Sequence, residues 1–309
     1  MSRWLAKWAM TGMAIVCAAL LVDGCQAHVW ATPPAVENTP RTTVAAPQAW
    51  LPVPPAAPPA QPTAPLGGLD ARSRQATADA AESGADIETV VLDRGTGQTF
   101  SNGVNKPFPI ASVAKLFIAD DLLLQESEGK VQLTAADRKS LDLMLRSSDD
   151  GAAQIFWDRS GQNAIIARVA TRYALTGTTA PHNGHWDVTQ STASDLVRYY
   201  AMLLDGTGGL PPEQADIIIS NLAQYTPTGT DGYPQRFGIP DGLFAEPVAV
   251  KQGWFCCWND ANQVHVSTGA IGPERRYVMA ISSLDPADAA AARETITQAV
   301  RTMFPGGKT

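Results

Sequence analysis

The sequence predicts an α+β fold whose antiparallel sheet is assembled from both ends of the chain. Two strand-like segments joined by a tight turn come early, a long helical stretch fills the middle, and three strand-like segments followed by a helix close the chain. Internal repeats are absent.

At 309 residues, with 45% apolar and 17% charged side chains, the chain has a globular balance, and its net charge of −7 argues against nucleic acid as a partner. The four histidines are scattered and give no dense metal cluster. Arg3 and Lys7 precede an apolar run from Ala9 to Val22, followed by Asp23-Gly24-Cys25, which is the layout of a secretory signal. That run, about 14 residues, is short of the roughly 20 that span a bilayer. Val22-Asp23-Gly24-Cys25 resembles a bacterial lipobox, although Asp23 is atypical of one. Residues 1–24 are therefore expected to be a cleaved signal peptide, leaving Cys25 to carry a lipid anchor to the outer face of the membrane. Eleven of the 23 prolines fall between Pro33 and Pro65. A tract of that kind favours extended polyproline conformations, so residues 25–69 read as a semi-rigid stalk and residues 70–309 as the globular domain.

Within that domain, Ala71 to Ser83 is alanine-rich and reads as an opening helix. Ile87 to Asp93 reads as a strand, Arg94 to Gly97 as a hairpin turn and Gln98 to Ser101 as the partner strand. Leu116 to Leu124 is an apolar run that predicts a buried helix. Leu133-Thr134 to Asp137 marks a helix start leading to Leu141–Leu145, and Gly151–Trp157 and Asn163–Tyr173 continue the helical stretch. Leu196, Tyr199, Tyr200 and Leu203 give Ser191 to Leu204 an amphipathic period. Val248–Phe255, Gln263–Thr268 and Tyr277–Ser283 read as strands, and Pro286 to Met303 as the closing helix.

The chemistry centres on Ser112-Val-Ala-Lys115 at the head of the buried helix. Positions i and i+3 share a helical face, so a hydroxyl and an ammonium meet one turn apart, as a serine nucleophile with a lysine base requires. A helix N-terminus also supplies N–H groups suited to an oxyanion. The same spacing recurs in Ser127-Glu-Gly-Lys130, which reads as a solvated helix end. What sets the first pair apart lies downstream, in Ser148-Asp149-Asp150 and, 103 residues after Ser148, in Lys251-Gln252-Gly253 on a late strand.

In that order, S-x-x-K, S-D-D and K-Q-G, with Lys106-Pro-Phe-Pro-Ile-Ala just before the serine, the chain resembles the serine β-lactamases and penicillin-binding proteins across roughly residues 80 to 304. The resemblance implies a β-lactamase/DD-peptidase-like fold with a reduced helical subdomain. It further implies that Ser112 forms an acyl-enzyme with Lys115 as base, and that Ser148 relays a proton to the leaving group, assisted by Lys251. The backbone N–H groups of Ser112 and Trp254 would form the oxyanion hole, beside Gln252 and Gly253. No metal or organic cofactor is implied, because this chemistry uses side chains alone.

Four departures accompany the resemblance. Asp150 stands where the family has Asn; its carboxylate favours the ammonium form of Lys115, or takes the proton itself. Gln252 replaces the hydroxyl residue that helps hold a substrate carboxylate. Only 36 residues separate Ser112 from Ser148, so part of the roof over the cleft is expected to be missing. No Glu occurs between Glu128 and Glu213, so the deacylating glutamate of class A β-lactamases has no counterpart, and a long-lived acyl-enzyme is expected. His182 and His185, in Thr179 to His185, read as turn residues beside Asn183-Gly184, with a role as substitute base as the alternative.

Cys256 and Cys257 are adjacent. In an oxidising compartment exposed thiols rarely persist, and with Cys17 removed and Cys25 lipidated neither has another partner. Successive Cα atoms stand about 3.8 Å apart, below the usual disulfide range, so either a strained vicinal disulfide or two buried thiols is expected. Trp254, Phe255 and Trp258 read as a binding wall or as core, and Tyr225 to Tyr233 as a polar loop that could border the cleft. The leading reading is a monomeric extracytoplasmic serine hydrolase acting on a small ester, amide or peptidoglycan-like D-alanyl peptide. Its rivals are a β-lactamase with another deacylation route and a weakened scaffold that binds a cell-envelope ligand.

Overall fold

The computed structural model describes residues 66–259 and 261–309; the signal peptide, Cys25 and the proline-rich tract lie outside those residues. Alternation along the strands builds the sheet. In β1 (Asp86–Asp93), Val90 faces one core and Val91 the other, and Met279 and Ala280 divide in the same way in β7 (Tyr277–Asp285). β2 (Gln98–Ser101), β5 (Val248–Trp258) and β6 (Asn262–Ile271) complete a five-stranded antiparallel sheet in the order β2-β1-β7-β6-β5. The two chain ends thus meet at the β1–β7 pair, where Val90 lies opposite Ala280.

One face of the sheet is covered by α1 (Leu69–Glu82), α9 (Ala289–Met303) and the short α8 (Ile239–Gly242). Packing on this side reaches back to Leu66, which is buried. The opposite face carries α2 (Ala114–Ser127), α3 (Ala135–Arg146), α4 (Asp150–Arg159), α5 (Asn163–Arg172), α6 (Ala193–Asp205) and α7 (Pro212–Ala223). A minor two-stranded sheet, β3 (Phe108–Pro109) with β4 (Gln190–Ser191), leads directly into the serine turn.

Every residue of α2 from Ala114 to Leu123 is buried, which is why apolar side chains appear on all sides of this stretch apart from Lys115, Asp120 and Asp121. Two carboxylates inside this helix are clamped from outside. Asp120 accepts hydrogen bonds from the Tyr173 hydroxyl at 2.5 Å and from Arg172, and Asp121 takes a two-pronged contact from Arg168 at 2.7 Å on each oxygen. Burial pushes the Asp120 carboxyl upward while Arg172 pulls it back. These clamps lock α2 to α5 and so fix the helix whose first turn carries the site.

Candidate active site

Ser112 sits in a single 3₁₀ turn, Ala111–Val113, from which α2 continues without a break. The residue before it, Ala111, has a φ of 49°, a conformation costly for alanine that turns the chain out of β3 and into the helix. The i, i+3 spacing then places Lys115 Nζ 2.8 Å from Ser112 Oγ, with the lysine completely buried. Of the second S-x-x-K, Ser127 donates to the Leu124 carbonyl and Lys130 pairs with Glu128, so no dyad forms there.

The chain between α3 and α4 supplies the second serine. Ser148 adopts a φ of 56°, again in the left-handed region, and Asp149 caps α4 by accepting the Ala152 N–H at 2.7 Å. That turn aims the Ser148 hydroxyl and carbonyl at Lys115, at 3.1 and 2.7 Å, and presents Asp150 Oδ1 to the same nitrogen at 2.6 Å. The polar loop predicted at Tyr225–Tyr233 holds this turn from behind, because the Thr226 and Thr230 N–H groups donate to the carbonyls of Arg146 and Ser147.

Strand β5 closes the other side. Lys251 Nζ lies 2.9 Å from Ser148 Oγ and donates to the Gln252 carbonyl at 2.9 Å. Gly253 faces the serine turn so closely that a Cβ would stand 2.6 Å from the Ile110 carbonyl oxygen and 3.2 Å from the Ser112 nitrogen. Only glycine lets the strand approach the Ser112 N–H and bring Trp254 to the cleft rim. Gln252, the alternate residue, is buried, and its amide donates to the carbonyls of Gln235 and Phe237 at 3.0 and 2.6 Å. With its donors so committed, it has none left for a substrate carboxylate.

Burial lowers the pKa of both lysines. For Lys115 the neighbouring Asp150 works against that shift; for Lys251 desolvation and repulsion from Lys115 carry it well below the usual range. Two of the four oxygens around Lys115 Nζ, Ser148 O and Asp150 Oδ1, can only accept. Once it loses its proton, the amine can give its two N–H donors to that pair and turn its lone pair to the Ser112 hydroxyl, the arrangement of a general base. The Trp186 ring, its centroid 4.6 Å from Nζ, covers the lysine.

Ser112 opens into a cleft of about 260 Å³ lined by Asp150, Trp186, Asp187, Asp231, Trp254 and Phe255. A larger cavity of about 590 Å³ lies between the β1–β2 edge and α6, and none of the proposed catalytic residues lines it. His182 and His185 are exposed and outside the cleft lining, and His185 N–H closes an Asx turn on Asn183. Trp254 stacks on Tyr233 with ring centroids 5.0 Å apart, while Phe255 and Trp258 pack partly against the helical core. Cys256 and Cys257 are joined as a vicinal disulfide, with Cα atoms 3.0 Å apart across a cis peptide bond. Among the described residues no cluster of His, Cys, Asp or Glu could hold a metal ion. Sequence reasoning missed Asp187 and Asp231 as cleft residues. Asp231 lies inside the Tyr225–Tyr233 loop already read as bordering the cleft, whereas Asp187 had no local mark.

These features define a class. The chain belongs to the β-lactamase enzyme family, whose model matches residues 71–136 and 138–304. Over 243 residues, 79% of this chain and 77% of the relative, it is 63% identical to the "Putative lipoprotein LppW" of Mycobacterium tuberculosis, and equally to that of Mycobacterium bovis. Among solved structures it is similar to PBP-A, with a TM-score of 0.63 at 19% identity over 80% of this chain and 97% of the other. A β-lactamase from Xanthomonas campestris gives a TM-score of 0.61 at 18% identity, covering 76% and 97% of the two chains. At such identities the structural likeness speaks for the fold.

Proposed function

We propose that this protein is an extracytoplasmic, lipid-anchored serine hydrolase that works by acyl transfer through Ser112. The observation that carries this reading is the Lys115 amine held against Ser112 Oγ by acceptors on its other sides. In the first step Ser112 Oγ forms a bond to the acyl carbon as its proton passes to Lys115. The negative charge on the acyl oxygen is met by the Ser112 and Trp254 N–H groups. As the bond to the leaving oxygen or nitrogen breaks, the proton returns through the Ser148 hydroxyl, which Lys251 orients. Water later cleaves the ester. The substrate class is an ester or amide reached from outside the cell, a D-alanyl peptide or β-lactam included, and its acyl-enzyme is long-lived. The lipid anchor rests on Cys25 and on the lipoprotein name of the mycobacterial relatives.

A stopped-flow assay with p-nitrophenyl acetate tests this. Residues 26–309 should release close to one equivalent of p-nitrophenol per chain in a burst, followed by slow turnover, and Ser112→Ala should show no burst. A burst that survives in Ser112→Ala would refute the assignment. Absence of a burst with any ester or β-lactam would favour the ligand-binding scaffold.

A further inference from the structure

The wall of the cleft is unusual in charge. Asp150, Asp187 and Asp231 line it, together with three aromatic side chains and Ser112, and among the described residues no lysine, arginine or histidine does so. The two cations beneath, Lys115 and Lys251, are buried. Lys115 is already paired with Asp150, and burial drives Lys251 away from its charged form. The carboxylates that remain are Asp187 and Asp231. Asp231 is fixed in place, accepting the Trp254 indole N–H at 3.1 Å and the Tyr233 N–H at 2.9 Å. An anionic ligand entering here meets two carboxylates with no cation on the cleft wall and no amide from Gln252, the only charges of opposite sign being the buried Lys115 and Lys251 beneath, which already feel Asp231. A cationic one gains both charges and the face of Trp254.

We infer that the ligand of this cleft is cationic: the preferred acyl donor is an ester or amide whose ammonium or guanidinium group faces Asp187 and Asp231. This rests on the reading of Ser112 as the nucleophile that defines the cleft. It separates the protein from enzymes that select a free carboxylate, and penicillins and peptides ending in one become poor substrates.

The test has a binding arm and a chemical arm. Binding of benzamidine, benzamide and benzoate, three probes of nearly equal shape, is titrated by ligand-observed NMR on Ser112→Ala, which cannot react. Benzamidine should bind about tenfold tighter than benzamide, with benzoate weakest, and moderate salt should narrow the gap. In Asp187→Asn/Asp231→Asn on the same background the preference should shrink to about threefold or less. Benzoate binding as well as benzamidine, benzamidine failing to bind, or a preference that the double variant keeps would overturn the inference. In the chemical arm, wild-type bursts with p-nitrophenyl 4-guanidinobenzoate and p-nitrophenyl benzoate are compared, and the cationic ester should acylate about tenfold faster. A burst from both esters at equal rates sinks the charge inference and leaves the hydrolase reading standing. Charge-selective binding without a burst from either ester does the reverse.

Discussion

Gly253→Ala is the sharpest probe of the cleft geometry. The added methyl group would meet the Ile110 carbonyl oxygen at 2.6 Å and Ala111 Cβ at 3.0 Å, where ordinary contact begins near 3.4 Å. Relief requires β5 and the serine turn to part by about 0.8 Å, the difference between 3.4 and 2.6 Å. Overpacking of this kind costs about 1–3 kcal/mol, which for a domain of this size lowers Tm by roughly 2–12 °C. Its larger effect falls on acylation. The Ser112 and Trp254 N–H groups separate with the strand, and a displacement near 1 Å in a catalytic constellation costs about 100-fold. Gly242→Ala separates the two effects. Its Cβ would meet Val300 Cγ1 at 2.4 Å on the opposite face of the sheet, so it should lower Tm comparably and leave the burst rate intact. Differential scanning fluorimetry and the p-nitrophenyl acetate burst give both numbers. An acylation rate in Gly253→Ala within threefold of wild type would refute the assignment of these two N–H groups.

Asp150→Asn removes the main charge that holds Lys115 toward its ammonium form, leaving only the weaker pull of Asp149 and Asp231 against burial, so the pH profile of the burst rate should move to lower pH, with a several-fold gain near neutrality. The Asp150 side chain is 70% exposed, so stability should change by less than about 1 kcal/mol; an unmoved profile would contradict a base role for Lys115. Lys251 titrates below its unfolded value, so between the two values the unfolded chain binds more protons, and stability rises with pH toward 10.5 at up to about 1.4 kcal/mol per unit. Lys251→Met should raise Tm at pH 7 while flattening that rise and slowing the burst, and identical slopes would contradict it. Alkylation of the non-reduced protein, read by mass, should leave Cys256 and Cys257 unmodified and add two labels after reduction; two labels without reductant would rule out the vicinal disulfide.

Much of the fold was legible because its strands and helices carry strong periods. Gln98 to Ser101 follows a Gly97 turn, and Ser191 to Leu204 shows its stripe plainly, so β2 and α6 fell where their residues indicated. α7 did not. Its apolar run is three consecutive β-branched residues, Ile217 to Ile219, which suit a strand as well as a buried helix, and Pro212 and Glu213 in its first turn were slight start marks. β3 and β4, at two residues each, are too short to show any period. The proximity of Ser112, Lys115, Ser148 and Lys251 rested on motif order, since no local rule joins residues 103 apart. Gln252 illustrates the limit. The resemblance places it beside the oxyanion hole, but strand alternation turns its amide to the carbonyls of Gln235 and Phe237. The acidic wall was invisible for the same reason, because Asp150, Asp187 and Asp231 converge only once the loops fold over the serine.

The most direct test of the central claim is intact-protein mass spectrometry of residues 26–309 quenched in acid seconds after mixing with p-nitrophenyl acetate. A gain of one acetyl group, mapped to the peptide carrying Ser112 and absent from Ser112→Ala and Lys115→Met, is the result the account predicts. An unmodified wild type, or an acetyl group that persists in Ser112→Ala, would contradict it.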